Sequence, residues 1–156
     1  MQRGELLKNF GRCASLLERG MKPEPIELKG VENIEELVVR VLRTRLREVR
    51  ELAHELPGRS KQGLHDFRIA CKRLRYALER FEPLEPSLEE TADKLASLQD
   101  ALGEAHDRDV LLTILPPTMA ATERRLLGER EACVERANAL WRELEQLMQA
   151  LDSHPI

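Results

Sequence analysis

The chain has 156 residues, of which 34% are charged and only 3% aromatic, with a formal net charge of −3. This length suits one domain with a core of its own, and an apolar fraction rich in Leu and Ala suits packed helices rather than sheets. The small negative total excludes a uniformly basic protein, so an anionic partner would have to be met by a local patch.

Met1-Gln2-Arg3-Gly4-Glu5 leads into a mixed polar segment without a signal-like apolar core. No run is long and apolar enough to span a membrane, so a soluble, cytoplasmic protein is expected. The first expected helix covers 5–19, on Leu6, Leu7, Phe10, Cys13, Ala14 and Leu17. Residues 20–30 hold two prolines between Gly20 and Gly30 and read as a connector. A long helix over 31–56 follows, with Val38, Leu42, Leu46, Val49, Leu52, Ala53 and Leu56 as its apolar face and Pro57-Gly58 as its stop. Ser60 suits the N-cap of the next helix, which reaches about residue 82 before Pro83 and Pro86.

Ser87-Leu88-Glu89-Glu90 has the form of a capping box. The helix it opens uses Leu88, Leu95, Leu98, Leu102, Ala105, Val110, Leu111 and Ile114, and stops at Pro116-Pro117. Gly103 interrupts this pattern. A glycine inside a helix costs roughly 1 kcal/mol against Ala, so a close packing contact or a bend is expected there. Pro117 suits the first turn of the last helix, over 118–151. Leu126, Cys133, Ala137, Leu140, Leu144, Leu147 and Leu151 recur along it, with Trp141 and Met148 alongside. A helix this long either projects beyond the bundle or pairs with another copy. The expected fold is therefore all-α: an antiparallel bundle of about five helices in one domain over 1–156. Its parts are 1–30 (first helix and connector), 31–115 (core helices) and 117–151 (last helix). Cys13, Cys71 and Cys133 are widely spaced and odd in number, and read as reduced, partly buried thiols.

The cations are concentrated. From 59 to 80 there are seven Lys or Arg against Asp66 and Glu79. Wound at about 100° per residue, this stretch places Phe67, Ala70, Cys71, Leu74, Ala77, Leu78 and Phe81 on one side. His65, Arg68, Lys72 and Arg75 fall beside them within an arc of roughly 80°. The preceding helix repeats the spacing with Arg40, Arg43, Arg47, Arg50 and His54. A short linker makes the two helices an antiparallel hairpin. The rotation that decides whether the two rows share a surface is not fixed by the sequence.

Two readings of the rows stand side by side. They are an anion-binding surface of Arg forks and a Lys, or a solvated face neutralised by neighbouring helices. Acids do not alternate with the bases, as pairing within one helix would require. His65 lies in the first turn of its helix, where the dipole disfavours imidazolium; it reads as a neutral donor to an anion or as a structural cap rather than a general base. His106, Asp107 and Asp109 resemble metal ligands, but adjacent helix positions diverge by about 100°, so the acids are better placed to orient arginines of neighbouring helices. No nucleophile with an adjacent base, P-loop or zinc pattern occurs. Only Tyr76 flanks the cations, which argues against base stacking and against a nucleic acid as the specific ligand.

The stretch Leu64-His65-Asp66-Phe67-Arg68-Ile69-Ala70-Cys71-Lys72-Arg73-Leu74-Arg75-Tyr76-Ala77-Leu78-Glu79, with Leu98-Gln99-Asp100-Ala101-Leu102-Gly103-Glu104-Ala105-His106-Asp107 after it, resembles the conserved-histidine α-helical domain, CHAD. The resemblance implies an all-helical fold of two similar four-helix halves that binds inorganic polyphosphate along basic surfaces. The motif is similar to that of the second half, and no second copy of it occurs in this chain. Either one half stands alone, or two chains supply the two halves as a homodimer.

The resemblance implies non-enzymatic binding of polyphosphate or a similar polyanion, with no cofactor and no metal, and a place in the cytoplasm that could include polyphosphate granules. It assigns phosphate contacts to His65, Arg68, Lys72 and Arg75, with Arg73 as a further member. Arg40, Arg43, Arg47 and Arg50 are added by spacing alone. Two alternatives stay open: a protein-interaction module whose charges are internally paired, and an enzyme on a phosphorylated substrate using His65 or His106.

Overall fold

The computed structural model describes residues 22–54, 56 and 60–153, with side chains as far as 149. The helix expected over 5–19, with Cys13, lies outside these residues, as does the Pro57-Gly58 stop. Four α-helices occur among the described residues: α1 Ile34–Leu52, α2 Lys61–Phe81, α3 Leu88–Ile114 and α4 Ala120–Ser153. No strand occurs among them. Each helix packs against the next along the chain, and α3 against α4 is the largest of these contacts. The fold is an all-α bundle.

The helix starts follow local chemistry. Asn33 caps α1, its Oδ1 accepting from the Glu36 backbone N–H at 2.9 Å, and Glu35 and Glu36 put negative charge on the first turn. Ser60 caps α2 as expected, accepting from Gly63 N–H at 3.0 Å. The capping box at Ser87 does not form. Ser87 is already helical (φ −63°, ψ −15°) and makes no side-chain cap bond. Its hydroxyl donates instead to Glu85 at 2.6 Å, because the turn begins at Pro86, whose carbonyl accepts from Glu89 N–H. Pro117 lies in the Pro116–Met119 turn, and α4 starts at Ala120.

The core draws on all four helices. Phe67, Leu74, Leu88, Leu95, Leu98, Ala101, Ala137 and Leu144 are essentially closed to solvent. Phe67 of α2 meets Trp141 of α4 edge to face, with ring centroids 5.4 Å apart and planes at 89°. The buried stripe of α4 is Leu126, Cys133, Val134, Ala137, Trp141, Leu144 and Met148, so Val134 joins the expected set while Leu140 is only partly covered. Cys71 and Cys133 are free buried thiols, and burial pushes both up from the usual thiol value.

Helices of 27 and 34 residues against 19 and 21 cannot end level. At 1.5 Å per residue, α3 and α4 are about 40 and 51 Å long, against about 28 and 32 Å for α1 and α2. The α3–α4 hairpin therefore carries exposed apolar side chains at its closed end: Val110, Leu111, Ile114, Met119 and Leu127.

Two glycines behave differently. Gly30 has φ +78° in the turn closed by Val31 N–H on Leu28 C=O, a conformation that favours glycine. Gly103 is an ordinary helical residue, and a Cβ there would meet nothing within 4 Å. The close contact expected at Gly103 is therefore absent, and α3 runs through it unbroken. Gly103→Ala should raise stability by about 1 kcal/mol, read from the urea midpoint, because helix propensity rises and no clash opposes it.

Candidate functional site

The α2 cations line a groove against α3. The groove has a volume of about 460 Å³ and is bounded by Arg68, Lys72 and Arg75 on α2 and by Gln99, Asp100, Gly103, Glu104 and Asp107 on α3. Antiparallel packing sets Arg68 level with Gly103, and the missing side chain at Gly103 leaves the groove open. His65 stands one turn before Arg68, its ring centroid 6.1 Å from that of His106 on α3. The helix winding thus assembles four of the expected residues along one line, with the fold supplying the opposite wall.

The cations of this line are weakly committed to the protein. Arg68 and Lys72 form no ion pair among the described residues. Lys72 Nζ lies 5.7 Å and the Arg75 guanidinium 5.3 Å from the centre of the Tyr76 ring, so Tyr76 props both through cation–π contacts. Arg75 Nε is 3.3 Å from Glu79 Oε1, an ion pair too poorly aligned to count as a hydrogen bond.

Arg73 turns about 100° away from Lys72 on the helix. Its Nη1 lies 4.0 Å from Glu48, a carboxylate only 5% exposed at the α1–α2 contact. It is not among the groove residues. Glu48 is shared: it also pairs with Arg45 at 2.9 Å and accepts the Glu24 backbone N–H at 2.5 Å.

The α1 row faces elsewhere. Arg43, Arg47 and Arg50 line a separate groove with Leu46 and Glu51, which shares no residue with the α2–α3 groove. The α1–α2 contact through Glu48 and Arg73 lies between the rows. Three of the four arginines of this row are bonded within the chain. Arg40 donates to the carbonyls of Glu27 (2.9 Å) and Lys29 (2.8 Å), and Arg47 pairs with Glu24, which holds its guanidinium more firmly charged. Arg50 donates to Glu145 of α4 at 3.2 Å. Arg43 is exposed and forms no pair among the described residues. Arg40 and Arg47 thus strap the connector over 22–30 onto α1, and Arg50 ties α1 to α4.

Of the acids near His106, Asp109 is buried and takes Arg130 of α4 at 2.5 Å, which is the arginine-orienting role expected of it. Asp107 faces the groove instead. No group of three or more His, Cys, Asp or Glu suited to a metal occurs among the described residues. Of the groove wall, Gln99, Asp100 and Glu104 went unassigned in the sequence, and Asp107 was expected to orient an arginine of a neighbouring helix. Its signal was present, since 100, 104 and 107 repeat the four-and-three spacing of the α2 row.

An all-α bundle with a cation-lined groove defines the class. The CHAD domain profile matches residues 4–116, about 72% of the chain, and the protein belongs to the CHAD domain family. The match takes in α1, α2, α3 and the whole groove; α4 lies beyond it, although it packs the core. No curated protein and no solved structure matches the chain.

Proposed function

We propose that the protein is a non-enzymatic binder of inorganic polyphosphate, taken along the α2–α3 groove by Arg68, Lys72 and Arg75, with His65 at its end. The observation that carries this reading is that Arg68 and Lys72 stand in an open groove without acid partners, in a chain of the CHAD family. Flexible cations held at helical spacing suit a repeating chain of phosphoryl oxygens. The α1 arginines, mostly bonded within the chain, contribute field more than contact, and Arg73 anchors α2 to α1. No helix among the described residues is long and apolar enough to cross a membrane, and the reading places the protein in the cytoplasm, including at polyphosphate granules. A homodimer would supply the second half of the family arrangement; the exposed apolar end of the α3–α4 hairpin favours pairing with a second copy.

The experiment is a titration of the full chain with long-chain polyphosphate at low and physiological salt, beside duplex DNA of equal phosphate content. Affinity should fall by roughly 0.7 log unit per phosphate contact for each tenfold rise in salt. Polyphosphate should bind more tightly than DNA, whose width does not enter a groove of this size. Equal affinity for both would mark a nonspecific polyanion surface. Absence of binding would favour a protein-interaction module, and turnover of polyphosphate or triphosphate would favour an enzyme.

A further inference from the structure

The α3 wall runs on past the groove. Gly103, Asp107, Val110 and Ile114 stand four, three and four residues apart, so they share one line on α3. The first two line the groove, and the last two are exposed. The change follows from where α2 begins. Lys61 is its first residue, seven before Arg68, and Arg68 is level with Gly103, so α2 starts level with Val110. Beyond that point α3 has no α2 beside it, and its apolar side chains face solvent. At its His65 end the groove thus opens onto an apolar surface made by the closed end of the α3–α4 hairpin.

Two properties of this surface point to its occupant. Residues 110–122 carry no charge, thirteen in a row in a chain that is 34% charged. The charges at their edge are matched: Arg108 and Arg125 both pair with Glu129, and Arg130 pairs with Asp109. In a two-fold contact each patch meets its own copy, so an unbalanced charge on it would meet its like or lose its water. A patch with none is what self-pairing requires. The second property is size. Val110, Leu111, Ile114, Met119 and Leu127 are between 44% and 71% exposed, on the order of 500 Å² together. Two copies meeting there would bury about 1,000 Å² in all, where specific but weak interfaces begin.

We infer that the occupant is a second copy of this chain, and that the paired hairpin ends join two grooves into one track for a single phosphate chain. A two-fold axis at the joint makes the two grooves run in opposite directions. Inorganic polyphosphate suits that arrangement because it reads the same from either end, whereas a nucleic acid strand has a direction. From His65 to Arg75 each groove spans about 15 Å at 1.5 Å per residue, enough for a short phosphate chain, and only a longer one reaches across the joint. The pairing stands on the hairpin end alone, and the joined track rests on the polyphosphate-binding reading.

Sedimentation of the full chain without ligand tests the pairing first. At about 100 μM the parent should be a dimer that dissociates on dilution, as a small interface implies. Leu111→Ser/Ile114→Ser should be monomeric. Both side chains are exposed and the change adds no charge, so the fold, checked by circular dichroism, and the field in the groove stay as they are. Leu84→Ser, at an exposed apolar position in the α2–α3 turn, should dimerise as the parent does. Titrations with tripolyphosphate and with long-chain polyphosphate follow. Where the parent is paired it should bind the long chain about tenfold or more tighter than the Leu111/Ile114 variant does, because two grooves engage one chain at once. Tripolyphosphate should bind both proteins equally. A monomeric parent at about 100 μM, or a variant that still pairs, overturns the inference. If the variant of a monomeric parent also has a lowered urea midpoint, the surface belongs to another part of the chain. A dimer that binds the long chain no better than the variant overturns the joined track. A dimeric parent that binds neither phosphate removes the polyphosphate reading, and the track with it, while the pairing holds.

Discussion

Changing Arg68, Lys72 and Arg75 together to Ala is expected to weaken polyphosphate binding by about a hundredfold or more, at about 1 kcal/mol for each partly solvated charge-assisted contact. The three side chains line one groove, and none is buried in the core. Arg75 gives up its contacts with Glu79 and Tyr76, both at the surface, so stability should change by no more than about 1 kcal/mol. The slope of log affinity against log salt should also flatten by roughly 2, since three cations no longer displace counterions from the chain. Calorimetric titration at two salt concentrations, with thermal unfolding followed in parallel, reads all three quantities. Arg43→Ala is the comparison: it removes one exposed cation from the other row and should cost far less. If the triple variant binds as the parent does, the groove is not the site.

Phe67→Ala is expected to be the most damaging single change to the fold, by about 3–5 kcal/mol. Phe67 is fully buried and its ring meets Trp141 edge to face, so the change removes a large apolar volume and an aromatic pair at once. A domain of this size has only about 5–15 kcal/mol to lose. The contact also ties α2, inside the family match, to α4, outside it. Trp141 is the only tryptophan of the chain, so its fluorescence during urea unfolding reports the loss at the place where it occurs. A cost below about 1 kcal/mol would show that α4 does not seal this core.

Much of the α2 side of the groove was legible in the sequence. His65, Arg68, Lys72 and Arg75 share a face because the helix has a fixed period, and Phe67, Cys71, Leu74 and Leu78 fix which way that face turns. Ser60 as a cap and the prolines at 83, 86, 116 and 117 marked helix ends through local backbone chemistry alone. Local chemistry failed at Ser87, where Pro86 had already started the turn and the hydroxyl found Glu85 instead.

The same periodicity could not tell Arg47 from Lys72. Both sit in rows of equal spacing beside apolar faces, yet one is held by Glu24 and the other stands in an open groove. Partners from 23 residues away, or from the next helix, leave no trace in a helical period. Gly103 shows the same limit from the other side, since a glycine that reads as a packing contact proves to be the gap that keeps a groove open.

The sequence by itself determined the four described helices, most of their apolar stripes, the line of cations on α2 and membership of the CHAD family. Only the tertiary structure decided that the two basic rows line different grooves, that Arg73 turns to Glu48, and that carboxylates of α3 face the cations. The physical reason is that winding is set by neighbours within four residues, whereas the rotation of one helix against another is set by how side chains from distant parts of the chain fill the space between them.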